Sequence, residues 1–136
     1  MRTKIRPAVN GDMAAIRVLI RLFPQHLVQR NLPRAQSFFV ASAGGSLVGC
    51  CALQVYSKRL AEVRSLAVHP DFQDRGLASV LVERCTQRAR ERGVRELFAV
   101  TSQTSFFARL GFATFRKEKT AMFLELTPGN GATDDL

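Results

Sequence analysis

The sequence predicts a mixed α/β domain built around one twisted sheet, and three observations predict it. Three strand-like segments follow one another with only short turns between them. A helical-period segment then leads to a fourth such run, and 46% hydrophobic content over 136 residues provides one core. Residues 4–9 (KIRPAV) begin the sheet, with Pro7 marking an edge because it has no N–H to give to a ladder. Asn10-Gly11-Asp12 supply a turn and an N-cap for an amphipathic helix whose Ile16, Leu19, Ile20 and Phe23 share one face as far as Pro24. Residues 25–30 have room for a helical turn, and Asn31 and Pro33 stop a longer one. Residues 37–43 and 47–56 flank Gly44-Gly45 as a hairpin, and residues 61–69 return after a second turn at 57–60. In residues 76–92, Leu77, Leu81, Cys85 and Ala89 recur every fourth position, supported by Ala78 and Val82, and Gly93 ends that helix. Residues 96–101 (ELFAVT), reached by a crossover helix, run parallel to their neighbour. A short helix at 104–110 closes on Gly111, and 113–119 with 121–126 suggest a last hairpin. One domain is expected over 1–127, with a flexible tail at 128–136.

The net charge of +9, from 20 Lys and Arg against 11 Asp and Glu, suits an anionic ligand. A nucleic-acid surface rests on net charge alone: no basic strand is interleaved with aromatics, and the densest run, RCTQRARER at 84–92, reads as the wet face of a helix. The first residues, MRTKIRPAV, lack an apolar stretch of signal-peptide length, and the apolar run at 47–55 is too short to span a bilayer. A cytoplasmic protein that binds neither membrane nor nucleic acid is expected. Cys50, Cys51 and Cys85 have no ligand cluster at metal spacing and read as reduced packing residues, with Cys50 and Cys51 on opposite faces of a strand.

The stretch RSLAVHPDFQDRGLA stops a strand at Pro70 and opens a helix near Gly76. The first N–H groups of such a helix lack intrahelical partners and sit at the positive end of its dipole, so they attract an anion. Gly76 permits close backbone approach, Ala78 leaves room, and Gln73 and Arg75 are placed to add polar contacts.

Taken with the strand ELFAVTS and the segment FFARLGF, the stretch LAVHPDFQDRGLASVLVERC resembles the GNAT superfamily of N-acetyltransferases over residues 5–126. Gln73, Gly76 and Ala78 match that superfamily's acyl-CoA signature. The segments GCCALQVYSKRLAEVRSLAVHP and TSQTSFFARLGF are similar to the short, stand-alone enzymes of the N-acetylglutamate synthase type. The resemblance implies a twisted, mostly antiparallel sheet of about seven strands, with a central parallel pair splayed around acetyl-CoA and flanked by helices. It also implies the co-substrate's seat. The pyrophosphate would lie on N–H groups of Asp74, Arg75, Gly76, Leu77, Ala78 and Ser79, with Gln73 beside them. Backbone groups of Leu66, Ala67 and Val68 would hold the pantetheine, the Val68 N–H polarising the thioester carbonyl. No metal is implied.

An amine with a pKa of roughly 10 must lose a proton before it attacks, and Glu62 is the candidate base, directly or through water. An ion pair between Glu62 and Arg64 near a strand end is the structural alternative. Arg64 otherwise suits an acceptor's carboxylate, by a two-pronged hydrogen bond. Many relatives carry a Tyr where this chain has Phe107, so Ser102 or water is left to protonate the thiolate, and Phe106 and Phe107 read as an apolar wall or as core. The only tyrosine, Tyr56, reads as packing, and His69 as a turn residue. The expected activity is acetylation of a small primary amine, an amino acid such as glutamate first, as in arginine biosynthesis. A catalytically weak CoA-binding regulatory module, and a protein or polyamine acceptor, are the alternatives. Relatives that pair through their last strands imply a homodimer.

Overall fold

Strand β1 (Thr3–Pro7) ends on the proline that marks it as an edge, and it pairs with β2 (Phe38–Ala43) alone. The computed structural model describes residues 2–114 together with Met122, Leu124 and Leu126. Strands β3 (Ser46–Val55) and β4 (Leu60–Val68) continue the antiparallel meander, and β5 (Glu96–Phe98) joins β4 in parallel, giving the order β1-β2-β3-β4-β5. The expected last hairpin at 113–126, with the proposed dimer edge, falls largely outside the described residues, as does the tail at 128–136. No helix among the described residues is long and apolar enough to cross a membrane.

Helix α1 (Met13–Arg21) covers one face, where Ile16, Leu19 and Ile20 pack with Phe38, Val40, Cys50 and Ala52. Helix α2 (Leu77–Glu91) covers the other, setting Leu77, Leu81, Val82, Cys85 and Ala89 against Phe39, Ala41, Cys51, Leu53 and Val63. Cys50 and Cys51 therefore part to opposite faces, as strand alternation demands. All three cysteines are buried free thiols. Burial pushes the Cys50 thiol up to about 12, and the neighbouring Cys85 thiol together with burial raises that of Cys51, so neither is a thiolate at neutral pH.

One expectation at the start of α1 is corrected. Asp12 makes no cap bond to the helix; its carboxylate instead accepts the Val9 N–H at 2.8 Å and both terminal nitrogens of Arg6 at 2.8 and 2.9 Å. The residues before it curl into a 3-10 turn (Asn10–Asp12), which brings Asp12 back over the strand end. The Arg6 guanidinium holds the Asp12 carboxyl below the ordinary carboxylate range.

Seating of α2 depends on a close approach. A side chain at Gly49 in β3 would meet Leu81 Cδ1 at 3.1 Å and the Ala41 methyl at 3.4 Å, so the helix lies nearly on the strand backbone. Leu81 is fully buried there. Leu81→Ala is expected to cost about 3 kcal/mol and to lower Tm by roughly 10 °C in thermal unfolding, because the cavity opens between two rigid elements.

Two irregularities in β4 position the site. Its parallel pairing with β5 covers only Leu60–Glu96, Ala61–Leu97 and Glu62–Phe98, after which the two strands separate. Its pairing with β3 slips by one residue: Cys50 faces Ala67, yet Ala52 faces Arg64, and Ser65 inside the slip has a φ of 58°. The extra residue makes a bulge. Without it Val63 and Ala67 would share a face; with it Val63 and Val68 pack toward α2 while Ala67 joins the α1 side.

Candidate active site

A helix start with no cap forms the floor of the site. The first intrahelical bond of α2 runs from the Val80 N–H to the Gly76 carbonyl at 3.2 Å, and no side chain caps the helix, so the N–H groups of Leu77, Ala78 and Ser79 precede the ladder. Gly76 holds φ at 80°, a left-handed conformation that glycine adopts without strain, and nothing lies within 4 Å of where its Cβ would be. Asp74, of a type that tolerates this region, is also left-handed at 63°. The loop thus turns sharply twice and leaves open space above the amides. Three donors and the dipole of the fifteen-residue α2 make this space attractive to an anion.

The wall beside it is the freed edge of β4. The His69 N–H donates to the Val48 carbonyl at 2.8 Å, so by strand alternation the Val68 N–H and C=O point to the opposite edge, from which β5 has withdrawn. The Val68 carbonyl accepts the Gln73 side-chain amide at 3.0 Å, which ties the loop to the strand end. One N–H of Gln73 is therefore engaged within the protein. The His69 Nδ1 accepts the Asp71 N–H at 3.1 Å and caps the 3-10 turn Pro70–Phe72, the turn role that its position suggested.

The splayed strands and the α2 start enclose a cleft of about 610 Å³, within the size range of small-molecule sites. Of the residues expected from the sequence, Leu66, Ala67 and Val68 line it from β4, Gln73, Asp74, Gly76, Leu77, Ala78 and Ser79 from the loop and helix start. Arg64, Ser102, Phe106 and Phe107 complete that set. Phe106 and Phe107 come from α3 (Thr104–Arg109). Phe107 is held edge-on between Phe106 and Phe112, at 5.0 and 5.1 Å between ring centroids, so it serves both as cleft wall and as core. Arg75 is not among the lining residues, its guanidinium lying 4.9 Å over the Phe72 ring.

Glu62 is not among them either. It shares the α1 side of β4 with Arg64, about 6.6 Å along the strand from it, and the bulge lies beyond both. The partner of the Glu62 carboxylate is the Tyr56 hydroxyl, which donates at 2.6 Å. Arg64 instead reaches toward the Asn31 carbonyl, at 3.5 Å. Burial first, then the bond to Glu62, raises the Tyr56 phenol above its ordinary value, so it stays protonated and able to donate.

A second wall is made of residues that the sequence did not single out for the site. Phe23, His26 and Leu27, just past α1, enter the cleft opposite the helix start, and Gln29 ties this segment down by donating to the carbonyls of Leu27 at 3.0 Å, Ile20 at 3.1 Å and Phe23 at 3.4 Å. Its only sequence signal was the room for one turn before Asn31. Arg109, which also lines the cleft, had a clearer signal as a lone cation inside FFARLGF.

Residues 14–112 match the model of the acetyltransferase (GNAT) family. Over 91 residues the chain is 40% identical to an uncharacterized N-acetyltransferase of Chlorobaculum tepidum, covering 67% of this chain and 59% of that protein. It is 35% identical over 119 residues to an amino-acid acetyltransferase of Mycobacterium tuberculosis, covering 82% of this chain and 68% of that one. Among solved structures, Rv2747 of Mycobacterium tuberculosis in complex with CoA and NLQ superposes with a TM-score of 0.78 at 34% identity, over 88% of this chain and 76% of that one. The N-acetylglutamate synthase of Neisseria gonorrhoeae, complexed with coenzyme A and N-acetyl-glutamate, superposes at 0.73 with 30% identity, over 81% of this chain and 28% of that one.

Proposed function

The chain belongs to the acetyltransferase (GNAT) family, and we propose that it transfers the acetyl group of acetyl-CoA to the primary amine of an amino acid, glutamate first, by direct attack on the thioester. The observation that carries this reading is the uncapped start of α2 beside the freed edge of β4. The N–H groups of Leu77, Ala78 and Ser79 hold the pyrophosphate, and the β4 edge from Leu66 to Val68 holds the pantetheine in extended form. The named ligands of the M. tuberculosis and N. gonorrhoeae structures, CoA in both and N-acetyl-glutamate in the second, support both halves of the proposal.

The amine nitrogen attacks the thioester carbonyl carbon, and the Val68 N–H receives the developing oxyanion, a contribution of roughly 3 kcal/mol where such donors are preorganised. The ammonium proton of the acceptor passes to Glu62 through water, since Glu62 stands one strand repeat outside the cleft lining. Collapse of the intermediate breaks the C–S bond and expels the thiolate of CoA, and the nitrogen gives up its second proton to water as the amide forms. With a thiol pKa of roughly 8.5 the thiolate leaves without full protonation, or takes a proton from Ser102 or water. Arg64 pairs with the α-carboxylate of the acceptor, and Phe23, His26 and Leu27 close the pocket opposite. The product fits arginine biosynthesis in the cytoplasm.

The test is thiol release from acetyl-CoA across amino acids, polyamines and peptides, with L-glutamate at the head. Saturable release with an amino acid is expected. Silence across the panel, with acetyl-CoA binding seen by calorimetry, would replace the reading with a non-catalytic CoA-binding module.

A further inference from the structure

Tyr56 stands just past the end of β3, where its ring is 54% exposed. A tyrosine so exposed is not held for its burial, yet it is fixed at both ends. Its ring stacks on Phe98 of β5 at 6.2 Å between centroids and 22° between planes, and its hydroxyl donates to Glu62 Oε1 at 2.6 Å. It is a short hydroxyl-to-carboxyl bond. Its backbone is fixed as well: the Tyr56 N–H donates to the Leu60 carbonyl at 3.0 Å, closing the turn that joins β3 to β4.

The three residues meet at one place in the fold. Glu62 and Phe98 are the last register pair before β4 and β5 separate, so the bond lies at the vertex of the cleft. Across β3 Glu62 faces the neutral Gln54, and the charged groups acting on the phenol are Glu62 and Arg64, both on β4. The carboxylate has two oxygens, and the phenol takes one.

We infer that Tyr56 is a positioning residue for the reaction, its hydroxyl holding Glu62 Oε1 so that Oε2 is left to accept the proton of the acceptor amine. This rests on the assignment of Glu62 as the base. The bond sets the orientation of the base before the acceptor enters. A purely structural tyrosine would close the turn equally well without a hydroxyl.

Tyr56→Phe keeps the ring and its stacking and removes only the donor. The kcat at pH 7, measured with L-glutamate and acetyl-CoA, is expected to fall about tenfold with KM for both substrates unchanged, since the carboxylate is no longer held toward the acceptor. Acetyl-CoA affinity and Tm should stay at the parental values. A readout without turnover accompanies it: in carbon NMR of the ligand-free protein, the Glu62 carboxyl resonance in Tyr56→Phe is displaced from its parental position. A parental kcat with an unmoved Glu62 carboxyl resonance would overturn the inference while leaving Glu62 as the base. A Glu62→Gln enzyme with parental kcat would overturn both.

Discussion

In Gly76→Asp, acetyl-CoA affinity falls by roughly 100-fold, the equivalent of one lost charge-assisted contact and added repulsion, about 3 kcal/mol. The space beside Gly76 is open, with nothing among the described residues within 4 Å of a Cβ, so no clash with them accounts for the loss. A non-glycine residue at a φ of 80° costs about 1 kcal/mol, less for Asp and Asn than for others, which lowers Tm by a few degrees. What the aspartate adds is a negative charge where the N–H groups of Leu77, Ala78 and Ser79 would receive a phosphate. Gly76→Asn separates the two effects, having the same shape and backbone requirement and no charge. Calorimetry should show Asn within about tenfold of the parent and Asp about tenfold weaker again. Parental affinity in the folded Asp variant would remove the pyrophosphate from this helix start.

Glu62→Gln is expected to reduce kcat at pH 7 by 10²- to 10⁴-fold, the range for loss of a general base, with acetyl-CoA affinity unchanged. Its pH profile is the sharper readout. Without a base only the neutral amine reacts, and for an amine of pKa near 10 that fraction is roughly 10⁻³ at pH 7, rising tenfold per pH unit. The variant's rate should therefore climb toward alkaline pH and approach the parental rate as the amine deprotonates itself. A kcat within threefold of the parent at pH 7 would show that the proton leaves by another route. Cleft geometry makes the experiment informative, because Glu62 lies outside the lining and its removal leaves the residues proposed to hold acetyl-CoA in place.

The helix-start half of this cleft was legible in the chain, and the particular residues of the wall after α1 were not. Gln73, Gly76 and Ala78 carry their signal in a few consecutive residues, because a proline stop, a left-handed glycine and a helix start are decided by local backbone sterics. His26 and Leu27 are held at the cleft with the help of Gln29, whose amide collects three carbonyls from the preceding turns, and no periodicity announces such a tie. Asp12 shows the same limit at smaller scale: its type and position predicted a cap, and Arg6, brought within 2.8 Å by the strand before it, took the carboxylate instead.

By itself the sequence determined the order and type of the elements, which face of each helix is apolar, and that a helix with open amides follows the strand stopped at Pro70. Those features depend on φ preferences and on side-chain period, which act over a few residues. Tertiary structure alone decided that β4 slips past β3 at Ser65, that β5 leaves β4 after Phe98, and that the hydroxyl of Tyr56 finds Glu62. Register and separation are settled by which side chains two sheet faces must bury at once, against α1 on one side and α2 on the other, and that balance belongs to the assembled core.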